Sequence, residues 1–236
     1  MAKSRKGFTL AEVLIALVVI GIIAAITVPL LIQNYQKQAV EKRLLKSYST
    51  FNQAIKLAEA RYGDKRDWSV SGGETIYDGD GNASNSIDSW FKTYLSDFIT
   101  IKTALKTSGA VAYYLNDGSA FMIGGGTDTE GVKSGADVVF FPGGYGGKCT
   151  YTEYANGGVC FFAFNFYPSS NTANWKYLYN KGLEPYMFHW DGTRDFLLNN
   201  SSYGCNSATK YRQYCTALIA MNGWKIPDDY PFKVRL

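Results

Sequence analysis

Glu12 is the first residue whose type and position suggest chemistry. It is an isolated acid beside Val13–Ile32, a stretch in which no residue is charged. As a helix rising ~1.5 Å per residue, that stretch is about 30 Å long, which matches the hydrocarbon core of a bilayer. A carboxylate at its edge costs on the order of 2–3 kcal/mol unless a cation neutralises it. Glu12 is therefore either a functional acid that pairs with a cation or a carboxylate at the level of the lipid headgroups.

Cysteines form the second candidate group, and all of them lie in the C-terminal half: Cys149, Cys160, Cys205 and Cys215. None forms a Cys-x-x-Cys pair and the chain has a single histidine, so disulfides are favoured over a zinc site. Four cysteines allow three pairings, of which we favour the two sequence-local pairs. The Asn156-Gly157 step between Cys149 and Cys160 suits a hairpin turn. Disulfides imply an oxidising compartment, which places this part of the chain outside the cytoplasm and the N-terminus inside.

A calcium-loop pattern begins at residue 78, where Asp78, Asp80 and Asn82 alternate as oxygen ligands. The calcium loop needs Gly at its sixth position and Glu at its twelfth, and this chain has Ala83 and Ser89 there. A flexible turn is the favoured interpretation. Calcium is kept as a candidate ligand of the three residues, and no other cofactor is predicted.

Enzyme and nucleic-acid functions find little support. Gly143–Lys148 resembles a phosphate loop but lacks the first Gly and the final Ser or Thr of that motif, and His189 has no nucleophile motif nearby. No Gly-x-Ser-x-Gly or His-Glu-x-x-His pattern occurs. The net charge is +4, and three of the positive charges are Lys3, Arg5 and Lys6. The remainder is not basic enough to indicate nucleic-acid binding, and we expect no catalytic residues.

One long helix must position Glu12. No glycine occurs between Gly21 and Gly63, and apolar residues recur every three or four positions beyond the uncharged stretch: Ile32, Tyr35, Ala39, Leu44, Tyr48, Phe51, Ile55 and Ala58. This stripe should pack on the rest of the protein, and the helix should stop at Gly63. Pro29 removes a backbone hydrogen bond and Gly21 is a second weak point. We therefore expect a kink or a melted stretch near residues 27–29, with a tolerated transmembrane proline as the alternative.

Beyond residue 62 the sequence is rich in Gly, Asn, Ser, Thr, Tyr and Phe, which is typical of short strands and turns. The predicted elements are a partly helical region over 87–105, a hairpin of 111–115 and 119–123, strands over 138–141 and 159–166, a second hairpin of 186–190 and 194–198, and a helix over 208–221 that closes at Gly223. The predicted fold class is α+β, with the long helix packed on an antiparallel β-sheet.

The string from Lys6 to Ile15, KGFTLAEVLI, resembles the cleavage and methylation motif of type IV prepilins and type II secretion pseudopilins. This resemblance implies that the α+β fold is a pilin fold. The resemblance covers about residues 6–60. It implies cleavage between Gly7 and Phe8 by a prepilin peptidase and N-methylation of Phe8. It also implies that Glu12 pairs with the N-terminal amine of a neighbouring subunit. Residues 215–231 more loosely resemble the C-terminal tails of some bacterial pilin-like proteins, which suggests a capping segment.

The resemblance implies four segments: a cleaved basic leader (1–7), a transmembrane and filament-core helix (8–32), its amphipathic continuation (33–62) and an extracytoplasmic α+β domain (63–236). The implied function is a structural subunit of a type IV pilus or a type II secretion pseudopilus. Its implied partners are the peptidase, other pilin or pseudopilin subunits, an inner-membrane assembly platform and membrane lipid. The implied location is the bacterial inner membrane, followed by a periplasmic or extracellular filament. The alternatives are an anchored adhesion or binding protein that does not polymerise and an enzyme with an uncleaved signal anchor.

Overall fold

The structure is a computed structural model that describes residues 7, 9–68, 75–77, 83–107, 110–125, 135–151 and 154–236. Its first element is a helix of 53 residues, α1 (Leu10–Tyr62). The helix ends where Gly63 adopts a φ of 86°, and the Gly63 amide donates to the carbonyl of Glu59 at 3.0 Å. The stop predicted at Gly63 is confirmed, because this positive φ favours glycine.

The central element is a six-stranded sheet in which consecutive strands are neighbours and every pairing is antiparallel. Its strands are β3 (Thr103–Thr107), β4 (Ala110–Tyr114), β5 (Ala120–Gly125), β6 (Ala136–Phe141), β7 (Phe162–Phe166) and β8 (Glu184–Pro185). A separate pair is formed by β1 (Thr75–Tyr77) and β2 (Ala83–Asn85). The long helix followed by an antiparallel sheet confirms the predicted α+β class.

The central strands β5, β6 and β7 bury both faces of the sheet, whereas the edge strand β3 is mostly exposed, and side chains alternate between the faces as the strand period requires. On the face toward α1, Phe121 of β5 meets Phe51 of the helix with ring centroids 4.9 Å apart. On the opposite face, Met122 and Phe141 pack with Phe161, beneath the loop that carries Cys149. The helix therefore covers one face of the sheet and a disulfide-linked loop covers much of the other.

Three short helices complete the described part of the fold: α2 (Ser86–Tyr94), α3 (Arg194–Asn199) and α4 (Cys215–Met221). Single turns of 3₁₀ helix occur at Lys65–Asp67, Tyr154–Asn156 and Ala173–Trp175. The hairpin of 111–115 and 119–123 is confirmed by the pairing of Tyr113 with Phe121. The strands predicted over 138–141 and 159–166 are confirmed as β6 and, from residue 162, β7.

The region predicted to be partly helical is so, and one predicted helix is shorter than expected. The region over 87–105 is helical only to Tyr94, and residues 103–105 belong to β3. The helix over 208–221 begins at Cys215, because the side chain of Asn206 captures the amides of Ala208 and Thr209 in a turn. The end of that helix is as predicted, since the amide of Gly223 donates to the carbonyl of Ala220.

The hairpin predicted at 186–190 and 194–198 is wrong. Its second arm is α3, which begins because the hydroxyl of Thr193 accepts from the amide of Phe196 at 3.2 Å. The carboxylate of Asp191 in turn accepts from the amide of Thr193 at 2.8 Å. Asp191-Gly192 thus leads into a capped helix rather than joining two strands.

Candidate functional site

The first half of α1 is an apolar rod, which we define as Leu10–Ile32. Its large hydrophobic residues are all exposed, from 46% for Val13 to 79% for Leu10. The buried residues of the helix all lie between Val40 and Ala58, on the face that packs against the body. Among the described residues, α1 is the one helix long and apolar enough to cross a membrane. An apolar surface of this size must be covered by lipid or by other protein helices.

The second half of α1 packs on the sheet through a slightly different stripe from the predicted one. Leu44, Phe51, Ile55 and Ala58 are buried as expected, and Tyr48 is partly buried. Two members of the predicted stripe are exposed instead: Ile32 at 52% and Tyr35 at 67%. Ile32 ends the rod and Tyr35 lies just beyond it, before the first buried helix residue, Val40, so helical periodicity alone did not locate the start of the packed half.

Glu12 takes part in a capping box at the start of α1. The hydroxyl of Thr9 accepts from the amide of Glu12 at 3.3 Å, and Oε2 of Glu12 accepts from the amide of Thr9 at 2.8 Å and from its hydroxyl at 2.9 Å. Oε1 of Glu12 makes no hydrogen bond to any described residue. Sequence reasoning missed this motif, although its signal, Thr-x-x-Glu before an apolar run, is present.

The proposed cleavage site lies just before this box. Gly7 is exposed, and Phe8 lies outside the described residues. Because the box uses only Thr9 and Glu12, removal of residues 1–7 would leave it intact.

The helix is continuous across Gly21 and Pro29. The melted stretch expected near residues 27–29 is therefore wrong for this structure, and a kink at these two residues stays a prediction. A methyl group at Gly21 would meet no atom within 4 Å, so packing in the monomer does not require glycine there. The hydroxyl of Thr27 donates to the carbonyl of Ile23 at 2.9 Å, a contact that often accompanies bending of helices.

The C-terminal segment is bound to α1 just beyond the rod. We call this contact the tail clasp; it joins residues 225–236 to Gln33, Lys37 and Glu41, three helix residues spaced four apart on one face. Glu41 is 5% exposed. Its carboxylate accepts from the amide of Ile226 and from the ammonium of Lys225, both at 3.0 Å.

The far end of the tail packs against the loop of the first disulfide. The amide of Arg235 donates to the carbonyl of Val159 at 3.0 Å, and its guanidinium donates to Oδ1 of Asn156 at 2.7 Å. A Cβ at Gly143 would lie 2.2 Å from the carbonyl carbon of Leu236, so only glycine leaves room for the chain end. Gly143, a residue of the phosphate-loop-like segment, therefore serves to seat the tail.

Both disulfides join sequence-local cysteines, Cys149 to Cys160 and Cys205 to Cys215. This is the pairing favoured from the sequence. The chain between Cys149 and Cys160 is not the expected hairpin, however: its described part contains a 3₁₀ turn, and Gly157 forms an isolated bridge with Phe161, just beyond the second cysteine. Asn156 is buried, and its side chain donates to the carbonyl of Lys148 at 2.8 Å, which holds the loop closed.

The remaining chemical candidates do not assemble into a site. The calcium candidates Asp78, Asp80 and Asn82 lie outside the described residues. His189 is exposed and its ring lies against Phe188. Within the part of the chain that the structure describes, no three His, Cys, Asp or Glu side chains come together as metal ligands.

A polar network that the sequence analysis did not identify lies on the sheet face away from α1. The carboxylate of Asp137 accepts from the side-chain amide of Asn165 at 2.6 Å and from the hydroxyl of Tyr167 at 3.2 Å. Asn165 also accepts from the amide of Met187 at 3.1 Å. Desolvation raises the pKa of Asp137 to about 6, although both hydrogen bonds favour the charged form. The available signal was a single acid inside an otherwise apolar strand.

Comparison with known proteins matches two family models. The model of a family of unknown function (DUF6613) matches residues 30–234. The model of the prokaryotic N-terminal methylation motif matches residues 2–28. No curated protein and no solved structure matches the chain. The second match is the signature of type IV pilins and pseudopilins, and the arrangement of helix and sheet is pilin-like.

Proposed function

The chain belongs to the family of unknown function DUF6613 and begins with a prokaryotic N-terminal methylation motif, and from this premise we propose that it is a filament subunit of a type IV pilus or a type II secretion pseudopilus. The chain undergoes two covalent modifications, cleavage between Gly7 and Phe8 and methylation of the new amine. The processed chain then functions by self-assembly.

The observation that carries the proposal is the exposed apolar rod. Because the rod makes no packing contact with the sheet, it is available to lipid first and to the rods of other subunits later. At ~1.5 Å per residue, Leu10–Ile32 is about 35 Å long, enough to cross the hydrocarbon core of a bilayer. A bundle of such rods offers the same apolar surroundings as lipid, so transfer from membrane to filament does not expose the rod to water.

Glu12 supplies the specificity of this transfer. In the subunit, Thr9 occupies Oε2 and leaves Oε1 without a partner among the described residues. A carboxylate has about four acceptor sites, so the capping box and an incoming amine can share Glu12. The box also fixes the direction of the carboxylate before a neighbour arrives. A subunit in the wrong axial position would leave this charge unpaired in an apolar bundle, which is strongly disfavoured.

The proposal is tested by two substitutions in cells that assemble filaments. Gly7→Val should block processing, so the protein keeps its leader and stays in the membrane fraction. Glu12→Ala should be processed normally and should be absent from filaments sheared from the cells. Asp67→Ala is the matched control, because Asp67 is an exposed acid on the far side of the body; it should be processed and incorporated as the wild type.

Electrophoretic mobility reports cleavage, and immunoblots of the sheared fraction report assembly. Normal processing of the Gly7 variant and normal incorporation of the Glu12 variant would refute cleavage after Gly7 and the role of Glu12 in assembly. A protein that is never recovered in filaments, with or without the substitutions, would instead fit an anchored binding protein.

A further inference from the structure

The apolar rod fixes the depth of the residues that follow it. If Val13–Ile32 spans the hydrocarbon core, the next residues of α1 enter the headgroup layer, which is about 5–8 Å thick on each side of a bilayer. Five helical residues rise about 7.5 Å, so Gln33–Lys37 crosses this layer. The helix is continuous through these residues, so the depth carries over to whatever is bound to them.

The tail clasp binds to this headgroup-level part of α1. The side chain of Gln33 donates to the carbonyl of Val234 at 3.1 Å, and the ammonium of Lys37 lies 3.7 Å from the carboxylate of Asp228. A cleft of about 150 Å³ lies between the helix and the tail, lined by Asn34 and Lys233 among others. The tail turn, residues 227–234, therefore lies at the depth of the phospholipid headgroups while the rod is in the membrane.

The charge of the tail turn suits a surface of phosphate groups. Its two acids are paired, Asp228 with Lys37 and Asp229 with Arg194 through two contacts of 2.8 Å. Lys233 is exposed and forms no ion pair with the described residues. With these pairs counted as neutral, Lys233 leaves one positive charge on the tail turn and its partners. A basic residue near an anionic lipid surface contributes on the order of 1 kcal/mol of attraction, which corresponds to about fivefold in binding.

We propose that the tail turn is a phospholipid-contact surface, in which Lys233 meets lipid phosphate groups and the clasp holds the body against the membrane. The inference rests on the membrane-inserted stage of the proposed function. The C-terminal tail would then have two roles: it packs against the rest of the fold, and it sets the height and orientation of the body above the bilayer before the subunit enters the filament.

The test uses the full chain in vesicles of phosphatidylethanolamine and phosphatidylglycerol that contain quencher-labelled lipids. Single cysteines are introduced by Pro231→Cys, Lys56→Cys and Ile20→Cys and labelled with a small fluorophore after the native disulfides have formed. Pro231 is an exposed residue of the tail turn, so Lys233 itself is kept. Lys56 is the control position, because it is exposed on α1 and lies about 35 Å beyond Gln33 along the helix. Ile20 reports insertion of the rod.

We expect a quencher at headgroup depth to reduce the emission at position 231 several-fold more than at position 56, and a deep acyl-chain quencher to act on position 20. Equal, weak quenching at positions 231 and 56 with strong deep quenching at position 20 would overturn the lipid contact and leave the proposed function standing. Absence of deep quenching at position 20 would show that the rod is not inserted, which overturns the membrane stage itself.

Discussion

Replacing Glu41 with alanine is expected to loosen the tail clasp and to lower the free energy of unfolding by about 2–5 kcal/mol. The amide of Ile226 loses its acceptor in a place where Ile226 is 6% exposed, and an unsatisfied buried donor costs about 1–3 kcal/mol. The lost buried methylene group adds roughly 0.8 kcal/mol. The ion pair with Lys225 adds about 0–1 kcal/mol, since that lysine side chain is 67% exposed.

Two further variants separate these contributions. Glu41→Gln keeps an oxygen for the Ile226 amide and loses only the charge, so we expect a cost of about 1 kcal/mol. Lys225→Ala removes the exposed partner and should cost 1 kcal/mol or less, by the usual strength of exposed ion pairs, about 0–1 kcal/mol.

The assay is urea denaturation of the full chain in non-ionic detergent with the disulfides intact, followed by tryptophan fluorescence. Hydrogen exchange at the amide of Ile226 gives a local readout and should accelerate most in Glu41→Ala. The reasoning is refuted if Glu41→Ala changes stability by less than about 0.5 kcal/mol, the range of ordinary surface substitutions. It is also refuted if Lys225→Ala proves as costly as Glu41→Ala.

Three other tests address separate parts of the structure. Asp137→Asn should abolish a pH dependence: because the pKa of Asp137 is raised to about 6 from 3.8, the folded state binds the proton more tightly, so wild-type stability falls as the pH rises from about 4 to 7. If the unfolding free energies of the two proteins, measured by denaturation, changed equally with pH over that interval, this prediction would be contradicted. Replacing both Cys205 and Cys215 with serine should lower the unfolding free energy by about 2–4 kcal/mol, as for other short disulfide loops, and dithiothreitol should then have less effect on the melting temperature; an unchanged response to dithiothreitol would count against the bridge. Thr9→Ala should speed hydrogen exchange at the amide of Glu12 in micelles, reflecting a lost cap of about 1 kcal/mol, whereas Thr9→Ser should not.

Sequence reasoning recovered the features that depend on local pattern. The 53-residue helix follows from the apolar run and its amphipathic continuation, and its end follows from Gly63. The hairpin around residues 116–118 follows from an Asn-Asp-Gly turn between two alternating strands. The methylation motif is a contiguous string, so one sequence was sufficient to recognise it.

The features it missed depend on contacts between distant residues or on side chains that compete for the backbone. No pattern at Glu41 indicates that it accepts from an amide 185 positions later. The false hairpin at 186–198 came from treating Asp191-Gly192 as a two-residue turn, when Thr193 had the stronger signal of a helix cap. Asp137 was not identified because the predicted strand began at residue 138, and because the shielding of this acid depends on packing that strand periodicity does not encode.

The processed N-terminus of the protein in its filament is the feature on which the whole account depends. It can be measured by intact-mass and N-terminal peptide mass spectrometry of the protein recovered from sheared filaments. The account predicts a chain that begins at Phe8 and carries one additional methyl group on its terminal nitrogen. A filament protein that retains Met1, or one that begins at any residue other than Phe8, would contradict it.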